Sequence, residues 1–166
     1  MEATIFQLIC QILQSNASLL SIAISQRAKF EGWLKFELAA ELKKRYLDTR
    51  VEESVNGLHI DIHSNKSLIE LKTPNTSYST KGCVNSICTI TDNINGIISD
   101  IHKLCSIIPG PYINGYVAFV MFPVDAKKYQ YHINRVINHL GSPLHVYQGP
   151  VMINLFKTYV FVAKVF

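Results

Sequence analysis

The sequence predicts a mixed α/β domain in which a three-stranded antiparallel meander adjoins a crossover helix. Three observations carry this. The hydrophobic pattern changes from a period of 3.6 to a period of 2 near residue 50, and back again near residue 92. Asn56-Gly57 separates two strand-like runs, and that dipeptide favours a tight hairpin because both residues tolerate positive φ. A helical stripe over 92–107 is followed by an unbroken apolar run over 115–122, the order of a helix crossing over to a buried strand.

Residues 4–14 read as a short helix with Ile5, Leu8, Ile9, Ile12 and Leu13 on one stripe, and a second helical stretch lies near 18–25. A stronger helix over 28–47 contains no proline. It ends in Lys43, Lys44 and Arg45, which suit the negative end of the helix dipole. Strands follow at 50–55, 58–63 and 67–72. In the second, alternation sets Leu58, Ile60 and Ile62 against His59, Asp61 and His63. Ser64-Asn65-Lys66 is the turn into the third, where Ile69 and Leu71 oppose Leu68, Glu70 and Lys72.

Residues 73–91 form a long loop rich in Ser, Thr and Asn, and loops of that length in compact domains usually carry function. The helix at 92–107 shows Ile94, Ile97, Ile98, Ile101, Leu104 and Cys105 at helical spacing, and Pro109-Gly110-Pro111 ends it. After the strand at 115–122, Asp125 caps a helix running to about Leu140. Short strands near 144–148, 151–156 and 158–166 complete the chain.

The 166 residues are read as a single domain. A content of 48% hydrophobic and 17% charged residues excludes an intrinsically disordered chain. The net charge of +4 tilts the balance toward a polyanionic partner. No run approaches the roughly 20 apolar residues of a membrane span, and the N-terminus lacks the basic start of a signal peptide. Cys10, Cys83, Cys88 and Cys105 form no CxxC pair. They are read as reduced thiols in a cytoplasm.

Asp61, Glu70 and Lys72 are the residues with chemistry to offer. A tight turn folds 58–63 onto 67–72, so Asp61 lies opposite Glu70 or diagonal to it, and Glu70 and Lys72 share a face. Two carboxylates with oxygen donors suit Mg²⁺ or Mn²⁺, and an adjacent ammonium suits an attacking water or a developing phosphorane charge. The same pattern also fits a solvated ion-pair ladder on a strand face. On the wheel of the 28–47 helix, Glu37 and Glu41 fall in the arc of Phe30, Trp33 and Leu34, while Glu31 lies on the opposite flank.

Element order and residues together resemble the PD-(D/E)XK nuclease superfamily, whose restriction-endonuclease-like core runs helix, three-stranded meander, helix, strand. The resemblance covers about residues 28–122. Asp61 matches the metal-binding aspartate of the second strand, Glu70-Leu71-Lys72 matches the (D/E)-x-K motif of the third, and Glu37 in KFELAAEL resembles the glutamate of the first helix, with Glu31 and Glu41 as alternates. Ile60 stands where the name-giving proline would be, and eight residues separate Asp61 from Glu70, a short spacing for the family.

The resemblance implies a metal-dependent hydrolase of DNA phosphodiester bonds. Asp61, Glu70 and the Leu71 carbonyl would hold Mg²⁺ or Mn²⁺, Glu37 would complete the site, and Lys72 would position the water. Thr73, Ser77, Tyr78, Ser79 and Lys81 offer hydroxyls, amides and an ammonium suited to phosphate contacts, and His59 and His63 flank Asp61. A homodimer would place two sites on opposite strands of a duplex, with strand 158–166 and the first helix as its expected surfaces. The alternative is a non-catalytic nucleic-acid-binding or assembly module on the same fold, whose binding survives EDTA and falls with salt. A third reading is a scaffold in which the acidic pair is only a surface ladder.

Overall fold

The computed structural model describes residues 1–85, 89–107, 114–125, 128–141 and 145–166. The chain is mixed α/β. Helices α1 (Glu2–Ser15), α2 (Ala17–Ser25) and α3 (Glu31–Lys43) precede the meander β1 (Arg50–Val55), β2 (Leu58–Ser64) and β3 (Ser67–Lys72). Helix α4 (Ile90–Ile107), strand β4 (Asn114–Met121), helix α5 (Tyr129–Ile137) and strands β5 (Val146–Ile153) and β6 (Phe156–Lys164) follow.

All six strands form one open sheet in the order β1-β2-β3-β4-β6-β5. Only the β3–β4 pair is parallel, and α4 is its crossover. Both hairpins of the meander turn on two residues at positive φ. These are Asn56 and Gly57 at 52° and 79°, and Asn65 and Lys66 at 50° and 58°. Ser64 pairs with Ser67, so the second turn is Asn65-Lys66 alone, one residue shorter than the sequence reading.

Two apolar layers cover the sheet. Ile5, Ile9 and Leu13 of α1 and Leu34, Leu38 and Leu42 of α3 pack on one face with Ile62, Ile69, Leu71 and Val160. Ile94, Ile97, Ile101 and Leu104 of α4 and Ile133 and Val136 of α5 pack on the other with Ile60, Leu68, Val117 and Phe161. Burying such side chains contributes about 1.5 to 3 kcal/mol each. Strands β3, β4 and β6 are covered on both faces, which is why they read as nearly continuous apolar runs.

Several sequence expectations are corrected. The third helix spans Glu31–Lys43, shorter than 28–47, and the fifth spans Tyr129–Ile137 rather than 125 to 140. Three short C-terminal strands are two long ones. Strand β6 lies between β4 and β5 with Thr158 to Ala163 buried, and α1 packs its apolar stripe against the sheet. The described cysteines Cys10, Cys83 and Cys105 are free thiols, while Cys88 and Pro109-Gly110-Pro111 lie outside the described residues. Among the described residues no single helix is long and apolar enough to cross a membrane, and α1 meets α2 at an 85° bend.

Candidate functional site

The site begins with a break in the meander. Strand β2 pairs with β3 only at Ser64, His63 and Ile62. Continuing the register would set Asp61 opposite Glu70, but the two strands part there. On its other side β2 pairs with β1 before and after Asp61, and the skipped partner, Glu52, has φ of 53°. The strand therefore turns over at Asp61. Ile60 faces one core and Ile62 the other, where unbroken alternation would have put both on one side.

Asp61 fills the gap that this parting opens. Its Oδ2 accepts a hydrogen bond from the Leu71 N–H at 2.9 Å, a side chain standing in for a ladder carbonyl. Its Oδ1 lies 3.2 Å from Lys35 Nζ of α3, which also contacts Glu52. Lys35 is buried, and its pKa is raised. Burial opposes the charge, but the carboxylates of Glu52 and Asp61 more than offset it.

Glu70 and Lys72 point to the α4 side of the sheet with Leu68. Two residues of α4 meet them. Lys103 Nζ lies 2.6 Å from Glu70 Oε1 and donates a hydrogen bond to the His59 carbonyl at 2.9 Å. Asp100 lies 3.4 Å from Lys72 Nζ through Oδ2 and 3.6 Å from Lys103 Nζ through Oδ1. From the opposite layer Glu31, in the first turn of α3, closes the ring. Its Oε1 is 3.5 Å from Lys72 Nζ and its Oε2 accepts from the Thr73 N–H at 3.2 Å.

The cluster alternates in sign. Glu31, Asp61, Glu70 and Asp100 supply carboxylates, and Lys35, Lys72 and Lys103 supply ammoniums. Glu70 is only 1% exposed. Burial, partly offset by Lys103 and reinforced by Asp61 and Asp100, pushes its pKa up to about 8. Lys72 is held up at about 12. Burial works against its charge, and Asp100, Glu31, Asp61 and Glu70 outweigh burial. Lys72 is thus an ammonium at any physiological pH, a donor of hydrogen bonds and not a base.

Asp61, Glu70 and Lys72 lie close enough to interact electrostatically, but Asp61 engages Lys35 of α3 and the Leu71 N–H, whereas Glu70 and Lys72 meet Lys103 and Asp100 of α4. Glu37 is elsewhere. It is exposed and lines a groove with Leu8, Gln11 and Ile12 of α1, while Glu41 pairs with Lys44. Glu31 replaces it because α3 buries the stripe of Lys35, Leu38 and Leu42, and Glu31 is on that stripe at four, seven and eleven residues. Lys35, Asp100 and Lys103 were not foreseen. Asp100 had a signal, since it interrupts the apolar stripe between Ile97 and Leu104.

His59 contributes its carbonyl, with its ring exposed, and His63 pairs with Glu53 at 2.8 Å, away from the cluster. Of the loop residues, Thr73 is buried beside Glu31, while Ser77, Ser79 and Lys81 are exposed and Tyr78 is half-buried.

Arg27 organises that loop. Its guanidinium donates to the carbonyls of Thr76, Tyr78 (2.7 Å) and Val84 (2.6 Å), and its own carbonyl accepts from Asn75 Nδ2 at 2.7 Å. Asn93 of α4 donates to the Asn75 carbonyl at 2.9 Å and accepts from Lys29 at 3.0 Å. The loop is pinned to the connection between α2 and α3 and to α4.

Among the described residues no three His, Cys, Asp or Glu side chains gather into a group that holds a metal ion by itself. The hard oxygen donors suited to Mg²⁺ are nevertheless present as the carboxylates of Asp61 and Glu70, each engaged by a lysine. No protein-family model, curated protein or solved structure matches the chain.

Proposed function

We propose that the chain is a metal-dependent nuclease that hydrolyses phosphodiester bonds in DNA, built on a restriction-endonuclease-like core. The observation that carries this reading is the convergence of Asp61, Glu70 and Lys72 where β2 and β3 part, with Glu31 of the preceding helix on Lys72. The sheet order supports it, because an antiparallel meander followed by a helix and a parallel fourth strand is the layout the resemblance implies. The donors fit a hard cation in kind.

Asp61 and Glu70, with the Leu71 carbonyl, would hold Mg²⁺ or Mn²⁺. Such an ion lowers the pKa of water and stabilises phosphoryl charge when bound. The chain's own residues do the rest. The Leu71 N–H fixes the rotation of the Asp61 carboxylate. Lys72, kept charged by Asp100 and Glu31, donates to the attacking oxygen and to the phosphate. Glu31 is a positioning residue, since it bridges the Lys72 ammonium and the Thr73 amide and so fixes where the ammonium points. The exposed hydroxyls of Ser77 and Ser79 and the Lys81 ammonium would contact the backbone of the duplex.

Incubating the protein with supercoiled and linear plasmid in Mg²⁺, Mn²⁺ and EDTA tests the reading. Nicking that needs the cation and falls by at least about 10²-fold in Asp61→Ala and in Lys72→Ala supports it. Binding of DNA that persists in EDTA, without cleavage by the wild type under any condition, moves the reading to a non-catalytic nucleic-acid-binding module.

A further inference from the structure

Lys103 has no part in the reaction just described, yet it holds a central place in the cluster. Three oxygens surround its Nζ: the His59 carbonyl at 2.9 Å, Glu70 Oε1 at 2.6 Å and Asp100 Oδ1 at 3.6 Å. One carbonyl and two carboxylates are the donors a hard divalent cation takes. Two of the three come from groups that have little reason to be inside the fold except to meet a cation. Glu70 is 1% exposed on the central β3. Asp100 is 9% exposed on a helical stripe otherwise made of Ile97, Ile101 and Leu104. Its Oδ2 is buried and, among the described residues, makes no hydrogen bond and has the Lys72 ammonium at 3.4 Å.

We propose that the Lys103 ammonium is the resident cation of this cleft, and that a divalent cation entering the site must displace it from Glu70 and Asp100. The inference rests on the cation-dependent reading of the site. Its physical basis is the difference in freedom between the partners. Glu70 is fixed on an interior strand, whereas Lys103 lies on a helix surface with its side chain 24% exposed. Rotating its flexible stem carries the ammonium from the carboxylates to solvent. Two cations cannot share Glu70 Oε1 at contact distance without strong repulsion. The cleft therefore has two arrangements, one filled by the protein's own ammonium and one by the ion.

Thermal unfolding of the full chain, titrated with MnCl₂ after EDTA treatment, tests this in the wild type, Lys103→Met and Lys103→Arg. In EDTA the Met variant unfolds at a lower temperature than the wild type, because Glu70 and Asp100 lose their counter-ion. Mn²⁺ restores it, and half-maximal stabilisation comes at a concentration at least about tenfold below that of the wild type. The Arg variant, which keeps the charge, stays close to the wild-type midpoint. An equal or higher midpoint in Lys103→Met, or no Mn²⁺ response in either protein, overturns the proposal. If Lys103→Met does not fold in EDTA, folding on addition of Mn²⁺ supports it and failure to fold overturns it. Displacement of Lys103 by Mn²⁺ without plasmid cleavage would leave this inference standing and remove the nuclease reading. Cleavage with an unchanged Lys103→Met midpoint would do the reverse.

Discussion

Burial of the Glu70 carboxyl beside Asp61 and Asp100 makes its proton part of the folding equilibrium. Its folded pKa of about 8 lies above the ordinary value of 4.5, so the folded chain binds the proton more tightly than the unfolded chain. The resulting stabilisation is complete below about pH 4.5 and is lost as pH rises toward 8. Across that window the residue contributes a slope of at most about 1.4 kcal/mol per pH unit, negative with rising pH. Glu70→Gln has no proton to lose. Its stability relative to the wild type in urea unfolding is therefore expected to grow from pH 5 to pH 8. A constant difference would mean that Glu70 titrates as an exposed carboxylate.

At this scale the sequence was readable for the shared face of Glu70 and Lys72, two residues apart on β3, but not for Asp61, because the register that would set it opposite Glu70 ends at Ile62. It was not readable for Glu31. Choosing between Glu31 and Glu37 needs the phase of α3, and the arc of Phe30, Trp33 and Leu34 suggested a different phase from the one that packs. Leu34, Leu38 and Leu42 are wholly buried, while Phe36 is 59% exposed.

Among the elements, β3 has the bounds its alternation implied, because both of its faces are covered and its whole length pairs with β4. The parting of β2 from β3 left no such trace. A period-2 pattern presumes continuous pairing, and Leu58, Ile60 and Ile62 conform to it although the strand turns over between the last two. The loop after β3 was legible as polar and long, but the staple that orders it was not, since Arg27 is far away in sequence. Arg27 is 6% exposed and holds a φ of 53°. Arg27→Ala removes donors from three carbonyls and is expected to cost about 3 kcal/mol. It should also speed tryptic cleavage after the exposed Lys81, read by mass spectrometry. Unchanged cleavage would mean that the loop is held by its own turns.

Taken as a whole, the molecule assembles its carboxylates and lysines from both layers of helices, with Glu31 and Lys35 on one side of the sheet and Asp100 and Lys103 on the other. Both cores therefore position the site. Leu104 is fully buried on α4, one residue from Lys103. Leu104→Ala is expected to cost about 3 kcal/mol, or roughly 6 to 12 °C in Tm for a chain of this size. Calorimetry checks it, and a loss below about 1 kcal/mol would mean that α4 repacks freely. The layered architecture was evident from the switch in period, but the meeting of residues from opposite layers was not. It depends on where one strand ends its pairing.

That ending has a spectroscopic consequence. The Leu71 N–H is bonded to a carboxylate instead of to a neighbouring peptide, so its proton and nitrogen resonances respond to whatever engages Asp61. A single backbone amide in a ¹⁵N correlation spectrum then registers events at the cluster without substrate or reporter dye. It should move when Lys35 is replaced and when Mg²⁺ is added, while the buried amides of β6, paired to β4 and β5 through their backbones, stay where they are.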